Sequence, residues 1–109
     1  MTPVEQVVAH LDLPAGDYVL TASLRATNTE AGIGTFYCDL VLPNRTTESI
    51  SDLQPTHDDG SAIGMALVNG DSFSTAGPAD LRCASIRGNE IVARQIRLIA
   101  TQVATLHVQ

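Results

Sequence analysis

The side chains able to do chemistry are few: three histidines, two cysteines and twelve carboxylates in 109 residues. His10 stands two residues from Asp12, and His57-Asp58-Asp59 forms the densest cluster of candidate metal ligands. Carboxylates are what a hard cation such as Ca²⁺ takes, but that run lacks the spaced oxygen donors of a calcium loop. A solvated acidic loop is the plainer reading, so no metal and no cofactor is expected. His10 and His107 fall at outward strand positions. Gly60-Ser61-Ala62-Ile63-Gly64 is not a nucleophile elbow, which needs Gly-x-Ser-x-Gly on a strained strand-to-helix turn. Gly32-x-Gly34 lacks the third glycine and the helix that a phosphate cradle uses. Asn44-Arg45-Thr46 matches a glycosylation acceptor, a match that means little without a secretory signal. No catalytic residue is assigned, and the chain is expected not to be an enzyme.

Cys38 and Cys83 remain. With no signal peptide in view the default is two buried reduced thiols. Both, however, share parity with core-facing neighbours, Phe36 and Leu40 for one and Leu81 for the other. Two inward cysteines on neighbouring strands could form a cross-sheet bridge closing a long loop, worth roughly 4 kcal/mol by chain entropy. Bridged and free thiols stay open as alternatives at this point.

The elements that must position these groups are strands. Tyr18 to Ala26 alternates most clearly, with Tyr18, Leu20, Ala22, Leu24 and Ala26 on one face and Val19, Thr21, Ser23 and Arg25 on the other. Val7 to Leu13 precedes it, with Val7, Ala9, Leu11 and Leu13 inward, and Pro14-Ala15-Gly16-Asp17 turns between them, Gly16 accepting a positive φ. Thr35 to Leu42, a weak strand at Glu48 to Leu53, and Ala62 to Val68 follow. Asn69-Gly70 predicts a type I′ hairpin turn into a return strand that starts at Asp71, breaks at Ala76-Gly77-Pro78 and resumes over Asp80 to Ile86. The run from Ile91 to Val108, β-branched and free of Gly and Pro, is apolar on both faces and is expected to be a central strand covered on both sides. No helix is expected. Seven to nine short strands split by Gly/Pro turns read as an antiparallel β-sandwich or jelly roll.

The totals agree. At this length the chain is one domain, 1–109, large enough for a core without a metal. Aromatic content is 4%, so that core is aliphatic. A net charge of −6 argues against a nucleic-acid partner. No apolar run is long enough for a membrane span, and Met1-Thr2-Pro3-Val4-Glu5 offers no secretory signal. All six basic residues are Arg, a Lys-free composition of the kind a GC-rich genome produces.

Three segments taken together resemble a known domain type: Leu11-Asp12-Leu13-Pro14-Ala15-Gly16-Asp17-Tyr18-Val19-Leu20-Thr21-Ala22, then Cys38-Asp39-Leu40, then Leu81-Arg82-Cys83 with the closing Ile96 to Leu106. They are similar to the small jelly-roll domain of actinobacterial surface proteins, itself similar to the tumour necrosis factor and complement globular-head family. The resemblance spans roughly Val7 to Leu106. It implies a ten-strand jelly roll, a homotrimer about a threefold axis, paired strands carrying the two cysteines, and a binding or structural role. The chain is shorter than the animal domains and lacks their aromatic-rich trimer core. It also lacks the signal and stalk of the surface proteins. A module of this kind without those parts suggests a phage virion surface protein, for capsid decoration or a fibre tip, with a capsid or tail protein as partner. The alternative is a host-encoded actinobacterial extracellular or cell-surface ligand-binding domain. Tyr37, Val41, Ile99 and Val103 are the residues expected at the oligomer contact, because an apolar patch of that kind is rarely left exposed on a monomer.

Overall fold

The computed structural model describes residues 4–28, 34–53, 62–87 and 91–104. They form β1 (Gln6–Leu13), β2 (Gly16–Asn28), β3 (Gly34–Val41), β4 (Thr46–Leu53), β5 (Ala62–Phe73), β6 (Gly77–Arg87) and β7 (Ile91–Val103), with no helix among them. A four-stranded sheet runs β1-β6-β3-β4 and a three-stranded sheet runs β5-β2-β7, every pairing antiparallel. This is an all-β, two-sheet sandwich. Among the described residues, only β3 and β4 follow each other within one sheet; each other pair of successive strands lies in opposite sheets.

Period-two alternation explains the core. Tyr18, Leu20, Ala22, Leu24 and Ala26 of β2, with Met65, Leu67 and Phe73 of the neighbouring β5, face Phe36, Cys38 and Leu40 of β3 and Leu81 and Cys83 of β6. All are buried, and the large members are aliphatic except Phe36, Phe73 and Tyr18. Tyr18 and Phe73 meet edge to face at 5.4 Å.

The organising strand is β2, not the C-terminal run. β2 is paired on both sides, whereas β7 ends its sheet. β7 is apolar on both faces for a different reason. Between Ser23↔Arg97 and Arg25↔Arg94 it carries one more residue than β2, and Gln95 there adopts φ 53°. That bulge shifts the parity, so Ile91 and Ala93 face inward before it and Ile96, Leu98 and Ala100 after it. A strict alternation cannot register the change.

Asn69-Gly70 does not turn. β5 passes straight through it, with Asn69 opposite Leu20 and Gly70 opposite Val19, and neither residue has a positive φ. Strand pairing with β2 outweighs the local turn preference, and the Asn69 amide donates to Thr47 Oγ1 at 2.6 Å, tying β5 to β4. The real reversal comes after Phe73. Val7 also differs from expectation: a register shift between Val7 and Ala9 turns Val7 outward, 52% exposed, while Ala9, Leu11 and Leu13 keep their inward parity. At the β1–β2 turn Gly16 does carry a positive φ, 151°, where a side chain is strained. Tyr18 donates its hydroxyl to the Pro14 carbonyl across that turn at 2.9 Å.

Candidate functional site

The two outer faces of the sandwich differ in chemistry, and each is fixed by strand register. On the four-stranded sheet, cross-strand neighbours line up as Val41, Asp80 and His10 in one row, and as Glu48, Asp39, Arg82 and Val7 in the next. His10, Asp80 and Arg82 of these rows join with Asp12, Glu5 and Tyr37 in a connected polar network. His10 lies between two carboxylates, with Nδ1 on Asp80 and Nε2 on Asp12, the latter at 2.8 Å. Arg82 donates to Asp80 at 3.0 Å and approaches Glu5 at 3.9 Å. Glu5 in turn accepts from the Tyr37 hydroxyl at 2.8 Å.

The network moves the proton affinities of its members. Hydrogen bonds to Asp80 and then Asp12 raise the His10 pKa above 6.5. Burial pushes Asp80 up, but the hydrogen bonds from His10 and Arg82 outweigh it and hold that carboxyl below its usual value. The hydrogen bond to Glu5 raises Tyr37. Asp39 is pushed up to about 6, first by burial and then by its hydrogen bond and charge repulsion with Glu48, against the opposing pull of Arg82. One of its oxygens, Oδ1, is buried without a hydrogen-bond partner.

The outer face of β5-β2-β7 is apolar and β-branched at its centre. Val68, Thr21 and Ile99 form one row across the three strands, and Gly70, Val19 and Thr101 the next. Val68 is 60% exposed and Ile99 52%. Arg25, Arg94 and Arg97 gather toward one end of this face, where β7 bulges.

Of the residues expected at an oligomer contact, Ile99 and Val103 lie on this second face, while Tyr37 and Val41 lie on the outer face of the other sheet. The four do not form one patch, because alternation sends the even residues of β3 into the core and the odd ones out on the far side of the sandwich. Tyr37 is engaged with Glu5. The cysteines, in contrast, do meet: Cys38 and Cys83 are direct cross-strand partners joined as a disulfide, with Cα atoms 4.1 Å apart. The bridge lies within one sheet, between β3 and β6, instead of crossing between the two.

His10 and Asp12 come together as their spacing allows. His57, Asp58, Asp59, Ser61, Gly32 and His107 lie outside the described residues. Among the described residues no three metal-ligating side chains converge. The depressions at the turn end are shallow: one of about 560 Å³ beside Leu13, Pro14 and Pro78, and one of about 180 Å³ beside Pro43, Asn44 and Ser74. Neither sets a nucleophile beside a base. No described helix is long and apolar enough to cross a membrane. Sequence reasoning missed the Asp39–Glu48 pair and the Arg82 hub; both become visible only once β6, β3 and β4 are placed side by side. No protein-family model matches the chain, and neither does a curated protein nor a solved structure.

Proposed function

We propose that the chain is a non-enzymatic structural or attachment module of jelly-roll form, displayed on a phage virion as capsid decoration or at a fibre tip and working as a homo-oligomer. The observation that carries this reading is the outer face of β5-β2-β7, where Val68 and Ile99 stand exposed on either side of Thr21 with no charged side chain in their row. Surfaces of that kind serve contact with other protein surfaces. The winding supports the jelly-roll form. An eight-strand jelly roll is two Greek keys closed around one hairpin. Here a single same-sheet hairpin, β3–β4, is flanked by connections that all cross between sheets. The seven strands fit the last seven positions of that winding. A homotrimer is the assembly implied by the resemblance, and a capsid or tail protein is the partner it would decorate.

The disulfide supports residence in an oxidising setting, which the exterior of a virion shares with a cell surface. The alternative, a host-encoded extracellular or cell-surface ligand-binding domain, rests on that same bond. Immunogold labelling with antibody to the chain distinguishes them. Label on purified particles supports the virion reading; label confined to the cell wall of uninfected cells overturns it in favour of the alternative.

A further inference from the structure

The core is sealed unevenly. Inward residues of β2 are closed off almost completely, with Leu20 at 0% and Leu24 at 4% exposure. The partly buried hydrophobics that pack against the core all belong to β1 and β7, among them Leu11 and Leu13 on one and Ile96, Leu98 and Ala100 on the other. β1 and β7 approach each other at the same lateral side of the sandwich, each the outer strand of its sheet. Among the described residues no strand pairs with the free edge of β7. An edge of this kind presents a row of backbone N–H and C=O groups, and its chemical complement is another extended strand.

The two edges are not equally open. β1 is interrupted by its register shift, and its outward His10 and Asp12 are held in ion pairs. β7 from Arg97 to Val103 has no proline, no glycine, no acid and no bulge, and Arg97 is its one charge. Such a stretch lacks the devices that keep edges from pairing.

We propose that the free edge of β7 takes the β7 strand of a second copy, antiparallel, about a twofold axis at Ile99. The pattern of β7 fits its own reverse. Around Ile99 the inward Leu98 falls opposite the partner copy's small Ala100, so large meets small across the extended core. On the outward face Ile99 meets its own counterpart, and Arg97 falls opposite threonine at position 101, so no like charges are directly opposed. The acids that give the chain its charge of −6 are absent from β7. Pairing joins two three-stranded sheets into one of six, covers the seam beside Ile96 and Leu98, and is isologous and closed. It yields a twofold pair, in distinction from the threefold assembly implied by the resemblance.

The test is a mass measurement joined to a crosslink. Light scattering at micromolar concentration should give twice the chain mass. Under mild oxidation Ile99→Cys should give a covalent dimer, because directly opposed antiparallel residues sit about 4.5–5.5 Å apart at Cα, within disulfide reach. Ser23→Cys, on the same outer face but on β2, should not. Ile99→Lys sets two ammonium groups against each other on the axis and should weaken the dimer at least tenfold while the melting temperature of the monomer holds. A monomer overturns the proposal. So does a dimer in which Ile99→Cys fails to crosslink, since the contact is then elsewhere. A trimer overturns it too, while leaving the structural-module reading standing.

Discussion

Asn44, in the turn between β3 and β4, grips Asp71 in β5 of the opposite sheet. Its backbone N–H donates to one carboxylate oxygen and its side-chain Nδ2 to the other, each at 3.0 Å. Asp71 is 2% exposed, and Ser72 N–H adds a third donor. A buried carboxylate is tolerated only when its lone pairs are filled. Asn44→Ala removes one donor from it and should cost about 1–3 kcal/mol. Urea unfolding of the two proteins checks this; an unchanged midpoint would show that water replaces the amide at no cost.

The Cys38–Cys83 bond spans 45 residues of sequence and should stabilise by roughly 4 kcal/mol through chain entropy. The paired substitution Cys38→Ala with Cys83→Ala should therefore lower the melting temperature strongly. A reductant should act on the unsubstituted protein in the same direction and leave the double variant unaffected. Equal melting temperatures with and without reductant in the unsubstituted chain, with two free thiols on titration, would contradict the bond.

Stability should be greater at pH 5 than at pH 8. His10 has a raised pKa, so its contribution is full below about 6.5 and is lost as pH rises through the raised value. Asp39, raised from 3.8 to about 6, behaves likewise: its contribution is full at the acid end and lost as pH rises through about 6. Asp80 is lowered, so its contribution persists through this window and is lost only as pH falls through its lowered value. Asp39→Asn should remove part of the slope. It should raise stability at pH 8 by on the order of 1–2 kcal/mol, solvent screening included, by about half as much at pH 5, and hardly at all below 3.8, where the carboxyl is protonated in both folded and unfolded chains. Thermal scans across pH settle it, and a slope of opposite sign would be fatal to this account of the network.

Gly64 sits in β5 opposite Arg25, exposed, and a Cβ built there meets nothing within 4 Å. Gly64→Thr should stabilise by about 0.5–1 kcal/mol, by restricting the unfolded chain and adding a β-branched side chain to a strand. Gly16→Ala should do the reverse, since φ there is 151° and the new methyl would stand 2.8 Å from Gln102 Nε2. Denaturant midpoints for the two variants should move in opposite directions.

Much of the sandwich is written in local alternation. The inward parities of β2 and β3, the break after Leu42 and the turn at Gly16 follow from residue types that act over a few positions. What alternation hides is any place where one strand gains a residue on its partner. The bulge at Gln95 and the shift at Val7 are decided by pairing across sheets, and no feature of their own sequence marks them. Asn69-Gly70 misleads for a related reason: a strong turn preference yields when the residues on both sides of it already pair with β2. The polar network was legible only at His10 and Asp12, two residues apart. Asp80, Arg82 and Asp39 lie far along the chain and meet only through the order β1-β6-β3-β4.

The bond between Cys38 and Cys83 has a topological result beyond its contribution to folding. It closes a covalent ring that contains β4, β5 and every turn between Cys38 and Cys83. One backbone cut inside that ring, by any protease, leaves a single covalently joined molecule, with β1 and β2 leading in and β7 leading out. Nicked protein would keep its mass until a reductant is added, and on a reducing gel the same sample would fall into two pieces. A module that stands outside a cell would in this way survive its first proteolytic insult in one piece.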